Sequence, residues 1–174
     1  MLLLKLAGAV LVVGAGAALG HAVSQRYRQR PRELQQFQRA LELLVTEISY
    51  AVSPLPHALG RAGVGTTYPV REVFSGAASR LASGGLVTAG DGWTAALDAA
   101  TPALSLNAAD LEIIRSLGAV FSMPGAREQV RHLELACRRL AQHESAARAD
   151  ESRYARLALQ LGVLGALALT IVLL

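Results

Sequence analysis

Cysteine is nearly absent from this sequence of 174 residues, because Cys137 is the only one. A single cysteine excludes an intrachain disulfide, so the fold cannot depend on covalent cross-links. It also rules out the paired thiolates of a structural zinc site. The histidines do not replace them, since they are scattered along the chain, at His21, His57, His132 and His143. No metal ion and no other cofactor is therefore expected.

Motifs that carry catalysis are also missing. His132 and Cys137 are five residues apart, whereas side chains on one face of a helix are three or four apart. Glu42 and Glu47 have the same spacing of five, so their carboxylates would diverge and could not act as an acid–base pair. The glycine-rich stretch at residues 63–67, GVGTT, lacks the Gly-Lys-Ser/Thr ending of a phosphate-binding loop. The sequence therefore predicts a protein that is not an enzyme.

Aromatic residues make up only 5% of the chain, and the net charge is a modest +4. Binding to nucleic acid requires a clustered basic face with aromatic residues or a reading helix. Away from the apolar ends, the arginines of this chain alternate with aspartate and glutamate. The charges are therefore interpreted as solvated helix faces, and no nucleic-acid partner is expected.

Apolar residues at helical spacing are abundant instead, and no long alternating pattern typical of β-strands occurs. The clearest stripe extends from Pro31 to Val52 in steps of three and four, with Leu34, Phe37, Leu41, Leu44, Val45, Ile48 and Val52. Ser53-Pro54 should end this helix, because proline disfavours helix at the preceding residue. Ser53 is then predicted to cap the next helix.

Further helix starts are predicted at prolines and capping residues, namely Pro54, Pro69, Thr88, Asn107 and Pro124. Asn107 has Asp110 three residues on, the spacing of an N-terminal helix cap. The last helix is long, and an apolar seam runs along it at Val130, Leu133, Cys137 and Leu140. Cys137 is interpreted as a small buried hydrophobic residue. The predicted fold class is all-α, a helical bundle with two long antiparallel helices and shorter helices packed against them.

Both ends of the chain are apolar, and each is predicted to be a transmembrane helix, at residues 1–23 and 157–174. Residues 24–156 then form a single helical bundle domain. Arginines flank both segments on the side of this domain, which places it in the cytoplasm by the positive-inside rule. An alternative stays open, in which the first segment is a cleaved signal peptide and the domain lies outside the cytoplasm.

Residues 30–59 also carry a resemblance to a known family. The motifs Arg30-Pro31-Arg32, Leu41-Glu42, Glu47-Ile48, Tyr50, Pro54-Leu55 and Ala58-Leu59 resemble the opening of the stage III sporulation protein AB family of endospore-forming bacteria. The layout of apolar segment, helical domain and apolar segment is similar over the whole chain. Residues 119–126 depart from the family pattern, which has a Leu-Gly pair and a Ser-Asp helix start there.

The resemblance implies a function in the complex that links mother cell and forespore. Members of the family belong to this membrane-embedded, secretion-like channel complex, and their helical domain is similar to the cytoplasmic domains of type II secretion F proteins. It implies a platform, or scaffold, in the mother-cell membrane that faces the forespore. The expected partners are other stage III sporulation proteins, above all the cytoplasmic motor ATPase, together with membrane lipid, and a homo-oligomer is compatible with this role.

Five residues are expected to contact a partner or to orient the bundle at the membrane, namely Arg30, Arg32, Glu42, Glu47 and Tyr50. All five lie in the segment with the most specific resemblance. The alternative is a generic membrane-anchored helical scaffold that binds anionic lipid or another protein without a motor partner. That alternative needs only the arginine clusters and the bundle.

Overall fold

The computed structural model describes residues 25–51, 53–83 and 88–173, with side chains as far as residue 154. The chain divides into two compact units. One is Arg30–Ser145, and the other consists of the two chain ends, Met1–Gln29 and Ala146–Leu174. The described residues are largely helical and contain no β-strand. The predicted all-α class is therefore confirmed.

Six α-helices follow one another along the described chain. Helix α1 covers residues 25–46 and continues as a π-helix over Glu47–Ala51. The next three are α2 (Leu55–Val64), α3 (Val70–Ala82) and α4 (Ala89–Ala100). A 3-10 turn over Thr101–Ala103 leads to α5 (Ala108–Phe121), and the last helix is α6 (Ala126–Leu173).

Helices α1 and α6 run antiparallel within the Arg30–Ser145 unit. Glu42 of α1 lines the same groove as Glu134 and Arg138 of α6, while Arg30 and His143 meet at the carboxylate of Asp110. Residue numbers therefore rise along α1 in the direction in which they fall along α6, so the two helices are antiparallel, as predicted. The shorter helices pack in chain order, α2 on α3, α3 on α4 and α4 on α5.

A row of aromatic rings forms the centre of the core. It contains all three phenylalanines and the only tryptophan of the chain, and its ring centroids are 5.8 Å apart for Phe37–Phe74, 5.3 Å for Phe74–Trp93 and 5.0 Å for Trp93–Phe121. The indole nitrogen of Trp93 donates a hydrogen bond of 2.8 Å to the carbonyl oxygen of Ile114. Four helices, α1, α3, α4 and α5, are thus joined through one apolar row.

Glycine inside α2 serves close packing. Such glycines disfavour helix, but the helix continues through Gly63 to Val64. A Cβ at Gly63 would lie 2.9 Å from Cβ of Phe74. The missing side chain therefore lets α3 approach α2 at the aromatic row, and tertiary packing offsets the low helix propensity.

Three of the five predicted helix starts hold and two are wrong in detail. Helix α3 begins directly after its N-cap, Pro69. Thr88 accepts a hydrogen bond from the Asp91 amide, and Asn107 forms a reciprocal capping box with Asp110. Ser53 does not cap α2, whose N-cap is Pro54 without a side-chain hydrogen bond. Its hydroxyl instead donates to the carboxylate of Glu47 at 3.2 Å. Helix α6 begins at Ala126, after the positive-φ Gly125, and not at Pro124.

The membrane-spanning predictions fall at the chain ends. The first, residues 1–23, lies outside the described residues. Residues 157–173 of the second form the last turns of α6, and residue 174 lies outside the described residues. Within the part of the chain that is described, no helix has the combined length and hydropathy needed to cross a bilayer. In the unit formed by the chain ends, the rings of Tyr27 and Tyr154 stack with centroids 3.9 Å apart.

Candidate interaction surface

Helix α1 has two faces of opposite character. Its inner face contains Leu34, Phe37, Leu41 and Leu44, which are all completely buried. The opposite face is exposed and presents Arg32, Arg39, Leu43 and Tyr50, which we call the outer stripe. Their steps of seven, four and seven place them on one side of a helix. The outer stripe thus combines two cations with two apolar side chains.

Tyr50 is the most exposed large apolar residue of this set, with 85% of its surface accessible. It lies in the π-helix at the end of α1, and single π-helical turns within α-helices often occur at functional sites. Leu43, about two helical turns earlier, is 39% exposed. Tyrosine and arginine are the residue types that dominate binding energy in protein interfaces, so the stripe has the composition of a protein-binding surface.

Glu47 holds this π-helical end in place. Its side chain is almost fully buried, and its carboxylate lies 3.1 Å from the guanidinium of Arg61 in α2. It also accepts the hydrogen bond from Ser53. A buried carboxylate requires such partners because an isolated buried charge is costly. Glu47 therefore positions the segment that carries Tyr50 and is not itself available at the surface.

Arg30 belongs to a second buried ion pair. Its Nε donates to Oδ2 of Asp110 at 2.7 Å and its Nη2 donates to Oδ1 at 3.1 Å, a bidentate geometry. Nδ1 of His143 lies 2.7 Å from the same Oδ1, and the Asn107 amide donates to Oδ2. One carboxylate thus joins α1, α5 and α6. Burial alone would raise the pKa of Asp110, but the hydrogen bonds from Arg30, His143 and Asn107 together lower it below its ordinary value.

Glu33 follows Arg30 by three residues in α1. It is buried and accepts a hydrogen bond of 2.8 Å from the backbone amide of Ser105. Burial raises its pKa to about 7, although the hydrogen bonds with Ser105 act in the opposite direction. The contact ties the segment before α5 to α1. Glu33 therefore contributes to positioning, and its charge state depends on pH near neutrality.

Glu42 lines a shallow groove between α1 and α6. The groove has a volume of about 310 Å³, and its other lining residues are Val45, Glu134, Cys137 and Arg138. Burial, together with the carboxylates of Glu42 and Glu134, raises the pKa of the Cys137 thiol to about 11. The thiol is therefore protonated at neutral pH, and thiolate chemistry is not available there. Cys137 is half-buried, whereas the sequence predicted a buried residue.

The five residues expected from the sequence thus fall into two groups. Arg30 and Glu47 are engaged in ion pairs inside the bundle. Arg32, Glu42 and Tyr50 are exposed, with Arg32 and Tyr50 in the outer stripe and Glu42 in the neighbouring groove. Among the described residues, no group of three His, Cys, Asp or Glu side chains could hold a metal ion.

Sequence reasoning missed two members of the outer stripe and the partners of Arg30. Arg39 and Leu43 could have been found, since they continue the helical register of Arg32 to Tyr50. Asp110 was recognised only as the partner of Asn107 in a helix cap. Its ion pair with Arg30 spans 80 residues of chain, and local spacing carries no signal over that distance.

Comparisons with known proteins identify the family. The sequence model described as stage III sporulation protein AB matches residues 5–174. Stage III sporulation protein AB of Bacillus subtilis (strain 168) is 29% identical over 171 residues, which is 98% of this chain and 99% of that protein. A solved structure of a stage III sporulation protein AB, SpoIIIAB, matches with a TM-score of 0.67 and 27% identity, over 72% of this chain and 98% of that one. The chain belongs to the stage III sporulation protein AB family.

Proposed function

We propose that this protein is a non-enzymatic platform in the sporulation-specific, secretion-like channel complex between mother cell and forespore. Its two apolar ends anchor it in the mother-cell membrane, and its helical bundle lies in the cytoplasm. The outer stripe of α1 receives the motor ATPase of the complex. Membership in a family of stage III sporulation proteins supports the general role, and the exposed stripe is the observation that carries the partner-binding role.

The composition of the stripe indicates the chemistry of its partner. Arg32 and Arg39 are exposed cations, and Leu43 and Tyr50 present apolar surface beyond them, toward the C-terminal end of α1. A complementary surface would combine acidic side chains with an apolar patch. Electrostatic complementarity of this kind favours rapid and specific association. The ATPase is therefore expected to present an acidic patch next to an apolar one.

Rigid support beneath the stripe suits a platform. The inner face of α1 is packed into the core, and the buried carboxylates of Asp110 and Glu47 fix the helix near residues 30 and 47. Side chains on a rigid helix lose less conformational freedom on binding than side chains on a loop. A bundle of this kind can hold a partner in register while both chain ends remain in the membrane.

The test is binding of the purified ATPase of the complex to the full chain in detergent micelles. Substituting Arg32→Gln together with Arg39→Gln should weaken binding at least tenfold, because both stripe cations are lost. The matched control is Ala95→Glu with Ala119→Glu, which gives the same change in net charge at exposed positions of α4 and α5. This control should bind as the unmodified chain does.

A generic lipid-bound scaffold is the competing outcome of the same experiment. Exposed arginines can attract anionic lipid, at about 1 kcal/mol for each charge near the surface. The same variants are therefore measured against vesicles with and without an anionic phospholipid. ATPase binding that is absent, or equal in the stripe variant and the control, would contradict the proposal, and loss of vesicle binding alone would assign the stripe to lipid.

A further inference from the structure

A second candidate surface lies between α3 and α4. Here a groove of about 220 Å³ is lined by three large polar side chains, those of Tyr68, Glu72 and Arg80, and otherwise mainly by small residues such as Gly76 and Ala96. Tyr68 is 70% exposed, and Glu72 and Arg80 are exposed as well. None of these residues belongs to the outer stripe, so the inference does not depend on the proposed function.

The charges of this groove are placed symmetrically on α3. Glu72 precedes Gly76 by four residues and Arg80 follows it by four, so all three lie on one face of the helix. At about 1.5 Å per residue the two charged positions are about 12 Å apart along the helix axis. The order of charges along α3 is therefore acidic, neutral, basic, with the neutral position in the middle.

We infer that this groove binds a second copy of the same chain, with the two α3 helices antiparallel and a two-fold axis passing beside Gly76. In a two-fold interface the same surface patch is used by both copies and must be self-complementary. Reversing α3 across the axis brings Glu72 of each copy to Arg80 of the other. The surface thus supplies both members of two identical ion pairs, so a second copy is complementary to it without any further residue.

The absence of a side chain at position 76 leaves space over α3, which the guanidinium of Arg80 occupies in the single chain. A Cβ there would lie 3.0 Å from Nη1 of Arg80 and 3.4 Å from Cβ of Ala96. Nη1 of Arg80 donates a hydrogen bond of 3.0 Å to the carbonyl oxygen of Gly76, so the guanidinium already lies over the middle of the groove. Because this side chain is exposed and flexible at its end, it can turn to the Glu72 of the second copy. The exposed ring of Tyr68 adds apolar contact at the end of the groove.

Charge reversal tests this arrangement. Two full chains with different affinity tags are produced together, and the amount of the second copy captured with the first is measured. Glu72→Arg alone and Arg80→Glu alone should each reduce capture at least fivefold, because each creates two like-charge contacts. The double variant, Glu72→Arg with Arg80→Glu, should restore capture, since both ion pairs form again with reversed polarity.

Mixing the single variants gives the sharpest result. A Glu72→Arg chain has two cations on α3 and an Arg80→Glu chain has two carboxylates, so the mixed pair should be captured more efficiently than either variant with itself. Glu112→Arg and Arg127→Glu, at exposed positions of α5 and α6, are the controls and should leave capture unchanged. Circular dichroism melting shows that each variant is folded.

Three outcomes would overturn the inference. These are no capture of the unmodified second copy, capture that is insensitive to the single reversals, and failure of both the double variant and the mixture to restore it. Capture of a different protein by the unmodified chain, with loss on Glu72→Arg and no self-capture, would assign the groove to another occupant and would equally overturn it.

Discussion

The two faces of α1 differ in what they require from the rest of the molecule. On the inner face, Leu34, Phe37, Leu41 and Leu44 are completely buried, and each must fit the space left by other helices. On the outer face, Arg32 and Tyr50 are exposed and make no demand on the fold. The inner face therefore determines stability, whereas the outer face is free to be selected for binding.

Some charged residues of α1 are also packed against the bundle. Arg30 and Glu47 are charged, yet each belongs to an ion pair with a buried carboxylate, that of Asp110 for Arg30 and that of Glu47 itself for its pair with Arg61. The relevant division is therefore between packed and unpacked positions, and not between apolar and polar residues. Substitutions on the inner face should lower the free energy of unfolding by several kcal/mol more than substitutions on the outer face. Substitutions on the outer face should instead weaken the binding of a partner.

The largest loss of stability is expected for Phe37→Ala. This substitution removes a fully buried ring from the aromatic row and should lower the free energy of unfolding by about 3–5 kcal/mol. Leu43→Ala is the control on the outer face and should cost less than about 1 kcal/mol, since Leu43 is already 39% exposed. Denaturant titration of the full chain measures both, and equal losses would contradict the division of α1 into two faces.

Asp110→Asn should have the next largest effect, about 3 kcal/mol, because it leaves Arg30 without its buried counter-charge. The matched control is Asp98→Asn, which breaks the exposed ion pair of Asp98 with Arg115. Exposed pairs contribute about 0–1 kcal/mol. If the two substitutions lowered the free energy of unfolding equally, the buried cluster would have no special structural role.

Glu33 should make the stability depend on pH in a defined direction. Its pKa rises from 4.5 to about 7 on folding, so the folded state favours the protonated carboxyl. The contribution of this proton to stability is complete below about pH 4.5 and is lost as the pH rises through about 7, a decrease of up to about 3 kcal/mol.

Glu33→Gln should abolish this part of the pH dependence, since the amide stays neutral and still offers an oxygen to the Ser105 amide. The free energy of unfolding is measured from pH 5 to pH 8 for both chains, and their difference isolates Glu33. Asp110 does not interfere, because its pKa is lowered and its contribution is lost only as the pH falls through the folded pKa, below 3.8. Parallel profiles for the two chains would contradict the prediction.

The smallest effect on stability is expected for the outer stripe itself. Arg32→Gln with Arg39→Gln, and separately Tyr50→Ala, should change the free energy of unfolding by no more than about 0.5 kcal/mol, as is usual for exposed positions. Thermal melting of the full chain provides the measurement. A loss of 2 kcal/mol or more, on the scale of core substitutions, would show that these residues support the fold.

Much of the fold could be predicted from local patterns. The inner face of α1 repeats every three to four residues, and Leu34, Phe37, Leu41 and Leu44 were all placed correctly. The cap formed by Asn107 and Asp110 was also predicted, because capping depends on residues three apart. These features share a physical basis, since each is determined within one or two helical turns.

The features that escaped prediction depend on contacts over long distances in the chain. Arg30 and His143 can contact the carboxylate of Asp110 only once α1, α5 and α6 have packed together. Ser53 has the residue type and position of a helix cap, but its hydroxyl donates a hydrogen bond to the buried carboxylate of Glu47 instead. Tyr50 was selected from the resemblance, whereas its exposure follows from the π-helix and the packing of α1.

Site-specific photo-crosslinking tests the central claim most directly, namely that the outer stripe of α1 holds the motor ATPase. A photoreactive phenylalanine analogue is placed at Leu43, at Tyr50 or, as a control, at the exposed Ala95 of α4, in full chains produced in sporulating cells. The account predicts that positions 43 and 50 crosslink to the ATPase and that position 95 does not. Absence of this product at both stripe positions, or an equal yield from position 95, would contradict it.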